Sequence, residues 1–228
     1  MATPRPASAT TAGAALSEEG VGPRRAALRQ SRSQDTRRRL IRAALELWNE
    51  RGFERAVDET TAEEIARAAG VSKGTFYFHF AHKEDILLEM PWATAEIMAE
   101  EAERAMERDE PTLELVEQVL ASLARRVSRA PRAAVLRVTG HWSRLSHSGA
   151  MPDEPRGFGE VFNDILRYAK ERGDLPAGVE TFELAALLQA ATMDALVRWA
   201  ATEQDEQVLA ATLRRRAEVV IRGAAATW

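Results

Sequence analysis

Apolar residues recur along this chain with the spacing of helices. From about Asp35 to Arg51, Leu40, Ile41, Ala44, Leu45 and Trp48 fall at offsets that line one helical face. Gly52 ends that pattern. A short segment from Thr61 to Ala69 follows, with Ile65 and Ala69 four residues apart on one face. Thr61 and Glu64 have capping-box spacing: the hydroxyl accepts from a backbone N–H of the first turn, and the carboxylate reaches back. Gly70 is placed to take a left-handed conformation and end the segment. Val71 plugs the turn, and Ser72 caps a new helix two residues after the glycine. Two short helices joined by such a turn make a helix-turn-helix.

The next helix, about Lys73 to His79, is short and rich in aromatics. Four-residue steps put Phe76 and Phe80 on one face, assigned to a small core with Trp48 and Ile65. Lys73 and Tyr77 share another face, Gly74 and Phe78 a third, Thr75 and His79 a fourth. Lysine, threonine, tyrosine and histidine do not suit burial, and an outward Phe78 marks a contact surface. Hydroxyls and cations suit phosphates, and aromatic edges suit thymine methyls. Beyond the motif a helix begins near His82, with carboxylates in its first turn. Pro91 is expected to kink or break it, and it resumes over about Trp92 to Arg108. Further helices are expected over about 112–129, 131–147, 158–173, 180–201 and 205–223, separated by Pro- and Gly-containing punctuation. No stretch alternates long enough for a strand. The fold class is therefore all-α: an N-terminal three-helix, helix-turn-helix domain over 34–83 and a larger C-terminal helical domain over 84–228. Residues 1–33 contain almost no large hydrophobes and no apolar periodicity, and are expected to be a disordered, Arg-rich extension.

Charge sharpens that division. The 228 residues carry a formal net charge of −4. Residues 21–83 hold 13 Arg or Lys against 8 Asp or Glu, whereas residues 84–228 hold 17 against 25. The first third is thus built to meet a polyanion. Arg24, Arg25, Arg29 and Arg32 form a loose basic arm, read either as a solvated tail or as an arm for phosphates or a minor groove. Cysteine is absent, which excludes disulfide scaffolds, thiol nucleophiles and cysteine-ligated metals. No apolar run approaches the ~20 residues of a membrane span, and no signal-type apolar region opens the chain. A cytoplasmic location without membrane contact is expected.

The run Thr61-Ala-Glu-Glu-Ile-Ala-Arg-Ala-Ala-Gly-Val-Ser-Lys-Gly-Thr-Phe-Tyr-Phe-His-Phe-Ala-His-Lys-Glu-Asp-Ile-Leu88 resembles the DNA-binding signature of the tetracycline-repressor (TetR) family of bacterial regulators. The likeness covers roughly residues 35–88. It implies that Thr75, Tyr77, His79 and Lys83 hold the phosphate backbone, and that Lys73, Gly74 and their neighbours meet the major groove. With the caps Thr61 and Ser72 and the outward Phe78, these are the candidate DNA-binding residues. The resemblance further implies a homodimer on a palindromic operator, released when a small, largely apolar effector enters the C-terminal domain. Candidate effector-binding residues are Trp92, Met98, His141, Trp142, Phe158, Phe162 and Met193, with Met151 in the same set of soft apolar side chains. The last two helices resemble the family's dimerisation pair, with Ala195, Trp199, Leu209, Leu213, Arg216 and Val220 as candidate interface residues.

Competing chemistry has little support. His141 and His147 are six apart, off the four-residue spacing of a zinc helix, so no metal site is expected. The sequence has no nucleophile elbow, phosphate loop or dinucleotide fingerprint, so no catalytic residues and no cofactor are assigned. An activator or ligand-independent regulator of the same fold remains open, as does a helical enzyme or scaffold with a vestigial DNA-binding head.

Overall fold

The computed structural model describes residues 22–148 and 157–227. Residues 1–21, and the 149–156 separator with Met151, lie outside the described residues. Among the described residues the regular structure is entirely helical. Ten α-helices run α1 Gly22–Arg51, α2 Phe53–Glu59, α3 Ala62–Ala68, α4 Lys73–His79, α5 Glu89–Glu107, α6 Thr112–Val127, α7 Arg132–Ser148, α8 Phe158–Arg172, α9 Thr181–Ala200 and α10 Glu206–Thr227. A 3-10 segment, Lys83–Leu88, joins α4 to α5. None of these helices is long and apolar enough to cross a membrane.

Among the described residues, those up to Arg39 and those from Leu40 onward form two units. In the first, helix α1 begins at Gly22, well inside the segment expected to be disordered. Ala26, Ala27, Leu28 and Gln30 are strong helix formers, and Pro23 fits a first turn that needs no N–H partner. Local propensity favours helix there even though the sequence carries no apolar stripe. Thr36 donates to the Arg32 carbonyl at 2.9 Å within the same unit.

The second unit has two apolar cores. One is built from Leu40, Ala44, Trp48, Phe53, Ile65, Phe76, Phe80 and Ile86. Trp48 and Phe53 meet edge-to-face at 5.7 Å. Phe53 belongs to α2, an element the sequence reading did not anticipate; burial of Phe53, Ala56 and Val57 holds its two turns in place. Ala134 of α7 is also a member of this core. The packing is therefore continuous across the boundary expected between residues 83 and 84. The other core gathers α5, α6, α8, α9 and α10 around Met98, Leu115, Leu123, Phe162 and Leu166.

The change of direction expected at Pro91 falls elsewhere. Backbone hydrogen bonding switches from 3-10 to α at Glu89, and Pro91 is the third residue of α5. A proline in a first helical turn removes an N–H that has no intrahelical acceptor, so it breaks nothing.

Candidate nucleic-acid interface and interior cavity

Local rules set the geometry of the α3–α4 turn. Thr61 Oγ1 accepts from Glu64 N at 3.2 Å, and Glu64 Oε2 accepts from Thr61 N at 2.8 Å. Arg51 braces the same carboxylate at 3.1 Å. The Thr61 backbone N–H, then Arg51, hold the Glu64 carboxyl below its usual range. Gly70 has φ +68°, the left-handed region. The Val71 N–H closes onto the Ala66 carbonyl at 2.9 Å, and Ser72 Oγ accepts from Thr75 N at 3.1 Å.

Helix α4 is anchored from beneath. Phe76 is fully buried, with Phe80 at 5.8 Å and the Tyr77 ring edge-on at 5.4 Å. Its outward surface carries Ser72, Lys73, Gly74, Tyr77 and Phe78. Phe78 is 78% exposed and Tyr77 52%. Such exposure of two aromatics on one seven-residue helix is unfavourable in water unless something covers it. A Cβ at Gly74 would meet only Ser72 Oγ, at 3.8 Å. The packing around Gly74 therefore leaves room for a side chain there. Thr75 and His79 are half-buried at the edge of this surface, and Thr75 Oγ1 lies 2.9 Å from Ser72 Oγ. Lys73 Nζ is 3.9 Å from Glu63, a loose pair open to exchange with a phosphate.

Lys83 departs from expectation. Its ammonium donates to the carbonyls of Asp58 at 2.7 Å and Thr60 at 2.8 Å, and its side chain is only 19% exposed. It closes the C-terminal end of α2 rather than standing free for DNA. The reason lies in α2 itself, whose last carbonyls need a donor.

Within the second core, α5, α6, α7, α8 and α9 leave a cavity of about 110 Å³. Trp142, Phe158 and Met193 are among the residues that line it. Trp92, Met98, Phe162 and His141 do not. Met98 and Phe162 point into the packed core, and Trp92 is buried without opening onto the cavity. His141 faces the other way, its Nε2 3.7 Å from Asp85 and its Nδ1 3.4 Å from Arg144. Burial and then the Arg144 cation lower its pKa from the usual value, while Asp85 and Glu84 oppose them. Lining residues that sequence reasoning missed include Pro91, Thr94, Arg126 and Thr139. No periodicity singles these out, because each comes from a different helix or an otherwise ordinary helical face.

Residues 40–90 match the family model described as bacterial regulatory proteins, tetR family. The helix-turn-helix head of this chain is thus similar to that of the tetR-family regulators. HTH-type transcriptional regulator TcmR of Streptomyces glaucescens is 48% identical over 61 residues, 27% of this chain and 25% of that protein. HTH-type transcriptional regulator UidR of Escherichia coli is 26% identical over 165 residues, 70% of this chain and 79% of that protein. The matches to TcmR and to AcrR of Shigella flexneri span about a quarter of those proteins' lengths. Among solved structures, Thermus thermophilus FadR, a TetR-family transcriptional repressor in complex with lauroyl-CoA, superposes with a TM-score of 0.67 at 27% identity. That alignment covers 82% of this chain and 94% of FadR.

The residues expected at the dimer interface turn inward. Ala195, Trp199, Leu209 and Leu213 are buried within the subunit's own core, and Val220 packs against it half-buried. The Arg132 guanidinium lies over the Trp199 ring at 4.1 Å and donates to the Trp199 carbonyl. Arg216 donates to Ala191 O at 2.6 Å and pairs with Asp194 at 2.7 Å, tying α10 to α9. The apolar stripe read from the sequence is the seam between α9 and α10. The outward apolar residues of these helices are Phe182, Leu187, Val197, Val208 and Val219.

Proposed function

We propose that this protein is a DNA-binding transcriptional repressor that holds a palindromic operator as a two-fold dimer and releases it when a small molecule fills the interior cavity. The observation that carries this reading is the outward face of α4: Lys73, Gly74, Tyr77 and Phe78 exposed on a helix pinned by Phe76. Tyr77 and Lys73 supply a hydroxyl and a cation for phosphate and base edges, and Phe78 an apolar surface for a thymine methyl. Phe182, Leu187, Val197, Val208 and Val219 supply the face that a second copy covers.

Helix α7 links the cavity to the head. Val135, Thr139 and Trp142 line the cavity. Ala134, Arg137 and His141 lie on the side that meets the head: Arg137 binds Asp58 and the Glu54 carbonyl of α2, and His141 faces Asp85 of the 3-10 segment. Met90, Pro91 and Thr94, at the start of α5, line the cavity too. A ligand wedged there presses on both elements that seat the head. A hundredfold preference for the released state supplies about 2.7 kcal/mol per site, twice that per dimer. The test is operator binding, mapped first on genomic DNA and then measured on isolated sites with and without ligand. Binding without sequence preference would refute the regulator; specific binding that no small molecule alters would refute induction.

A further inference from the structure

The first part of α1, residues 22–39, precedes the residues that match the family model. It holds seven arginines and one acid, Asp35. Asp35 lies 3.8 Å from Arg38 with both side chains well exposed, so solvent screens the pair. Arg25, Arg29, Arg32, Thr36 and Arg39 follow at steps of four and three, and the helical register places these positions on one face. Thr36 fills the gap in that row. Its hydroxyl donates to the Arg32 carbonyl at 2.9 Å and accepts from Arg39 at 3.3 Å. Arg32 and Arg39 are exposed. Leu28 is the one large apolar residue of the segment. No apolar face therefore runs beside the cations, and a helix that lies in a membrane surface needs one.

We infer that residues 22–39 are a second DNA-binding element, which holds the phosphates of double-stranded DNA without regard to base sequence. From position 25 to position 39 the row covers about 21 Å, at about 1.5 Å of rise per residue. B-DNA carries one charge per ~1.7 Å of its axis, so about a dozen phosphate charges lie along that length. Helicity selects the mode of contact. An α-helix with its side chains is about 10–12 Å across, whereas the minor groove is about 6 Å wide. A flexible arginine arm can thread that groove; a helix is too wide to enter it. A row of one charge sign matches a row of phosphates, while base edges alternate donors and acceptors and call for mixed side chains. Duplex DNA is the polyanion that α4 of the same chain is proposed to hold, and the choice of partner rests on that reading.

The test uses the full chain with Arg25→Gln, Arg29→Gln and Arg32→Gln combined, which removes three charges and keeps good helix formers. Fluorescence-anisotropy titrations at several salt concentrations read the slope of log affinity on log salt, for an operator mapped on genomic DNA and for an unrelated duplex of the same length. Each phosphate contact contributes about 0.9 to that slope, so the three arginines contribute up to about 2.7 per chain. The expected result is a slope shallower by at least about 0.9 per chain on both duplexes, with the ratio of their affinities unchanged. Lysine at the same three positions should restore the wild-type slope. Circular dichroism checks that each variant is folded, and Arg32→Gln alone replaces the triple variant if that one is not. An unchanged slope in the folded glutamine variant overturns the element. A loss confined to A·T-rich duplexes moves the arginines to the minor groove, and a changed base preference moves them to the major groove; either result overturns phosphate contact. A larger loss with single-stranded RNA of equal length overturns the choice of partner. If the wild type binds the operator no better than the unrelated duplex, the regulator fails, while the slope on the unrelated duplex still decides the role of residues 22–39.

Discussion

Lys83 separates two accounts of the head. If its ammonium holds DNA phosphate, Lys83→Met should weaken operator binding and flatten its salt dependence. One lost phosphate contact lowers the slope of log affinity on log salt by about 0.9, or about 1.8 for two heads. The structure points elsewhere. Two hydrogen bonds run from Nζ to the carbonyls of Asp58 and Thr60, at 2.7 and 2.8 Å. Charge-assisted bonds contribute about 1.5–3 kcal/mol each. Water reaches the Asp58 carbonyl once the lysine is gone, and methionine retains the apolar stem, so the net loss is about 2–3 kcal/mol. For a chain of this size that lowers Tm by roughly 5–10 °C. The assay pairs thermal unfolding by circular dichroism with fluorescence-anisotropy titrations of an operator at several salt concentrations. The expected result is a lower Tm with an unchanged salt slope. An unchanged Tm with a slope reduced by about 1.8 would refute the structural role and restore Lys83 to the DNA contacts.

Other expectations follow from the same geometry. Leu213→Glu buries a charge in the α9–α10 seam and should give misfolded protein, whereas Val219→Glu, on a side chain 67% exposed, should give a folded monomer by analytical ultracentrifugation; a folded, monomeric Leu213→Glu variant would contradict this division. Tyr77→Ala should weaken binding to all DNA sequences alike, by about 1–3 kcal/mol, without lowering Tm; a selective loss at one base position would move Tyr77 from the backbone to the groove. Thr61→Ala removes the capping box and should cost about 1 kcal/mol of stability, read as a shifted denaturation midpoint. His141 has a folded pKa below its usual 6.5. The unfolded chain therefore takes up the proton first, so stability is full above pH ~6.5 and declines as pH falls through the lower folded value. His141→Asn should flatten that decline, and an identical pH profile would show that another group causes it.

The helices and the turn that shapes the head were legible because their signals are local. Thr61 with Glu64, Gly70, and Ser72 with Thr75 each act across three residues or fewer, through backbone N–H groups that any surrounding fold would leave in need of partners. The faces of α4 were legible for the same reason, since a helical period sorts Phe76 from Tyr77 and Phe78 wherever the helix sits. Helix α2 escaped notice because no side chain caps its start at Gly52; its stability comes from burying Phe53 and Val57 against distant residues.

Periodicity identifies a side chain that avoids water but does not name what covers it. Trp142 and Phe162 have the same sequence signature, yet Trp142 borders the cavity and Phe162 the packed core. Leu213 and Val219 are apolar neighbours on α10, yet one closes the seam with α9 and the other faces outward. Lys83 is read as a DNA ligand until α2 brings two carbonyls within reach of its ammonium. Nothing in the sequence marks Arg126 as a lining residue, because five helices must first meet around the cavity. Capping and periodicity depend on near neighbours in the chain, and the order of residues fixes those. A cavity, a seam or a paired cation depends on residues far apart in the chain, and only the packing of whole helices determines which of them meet.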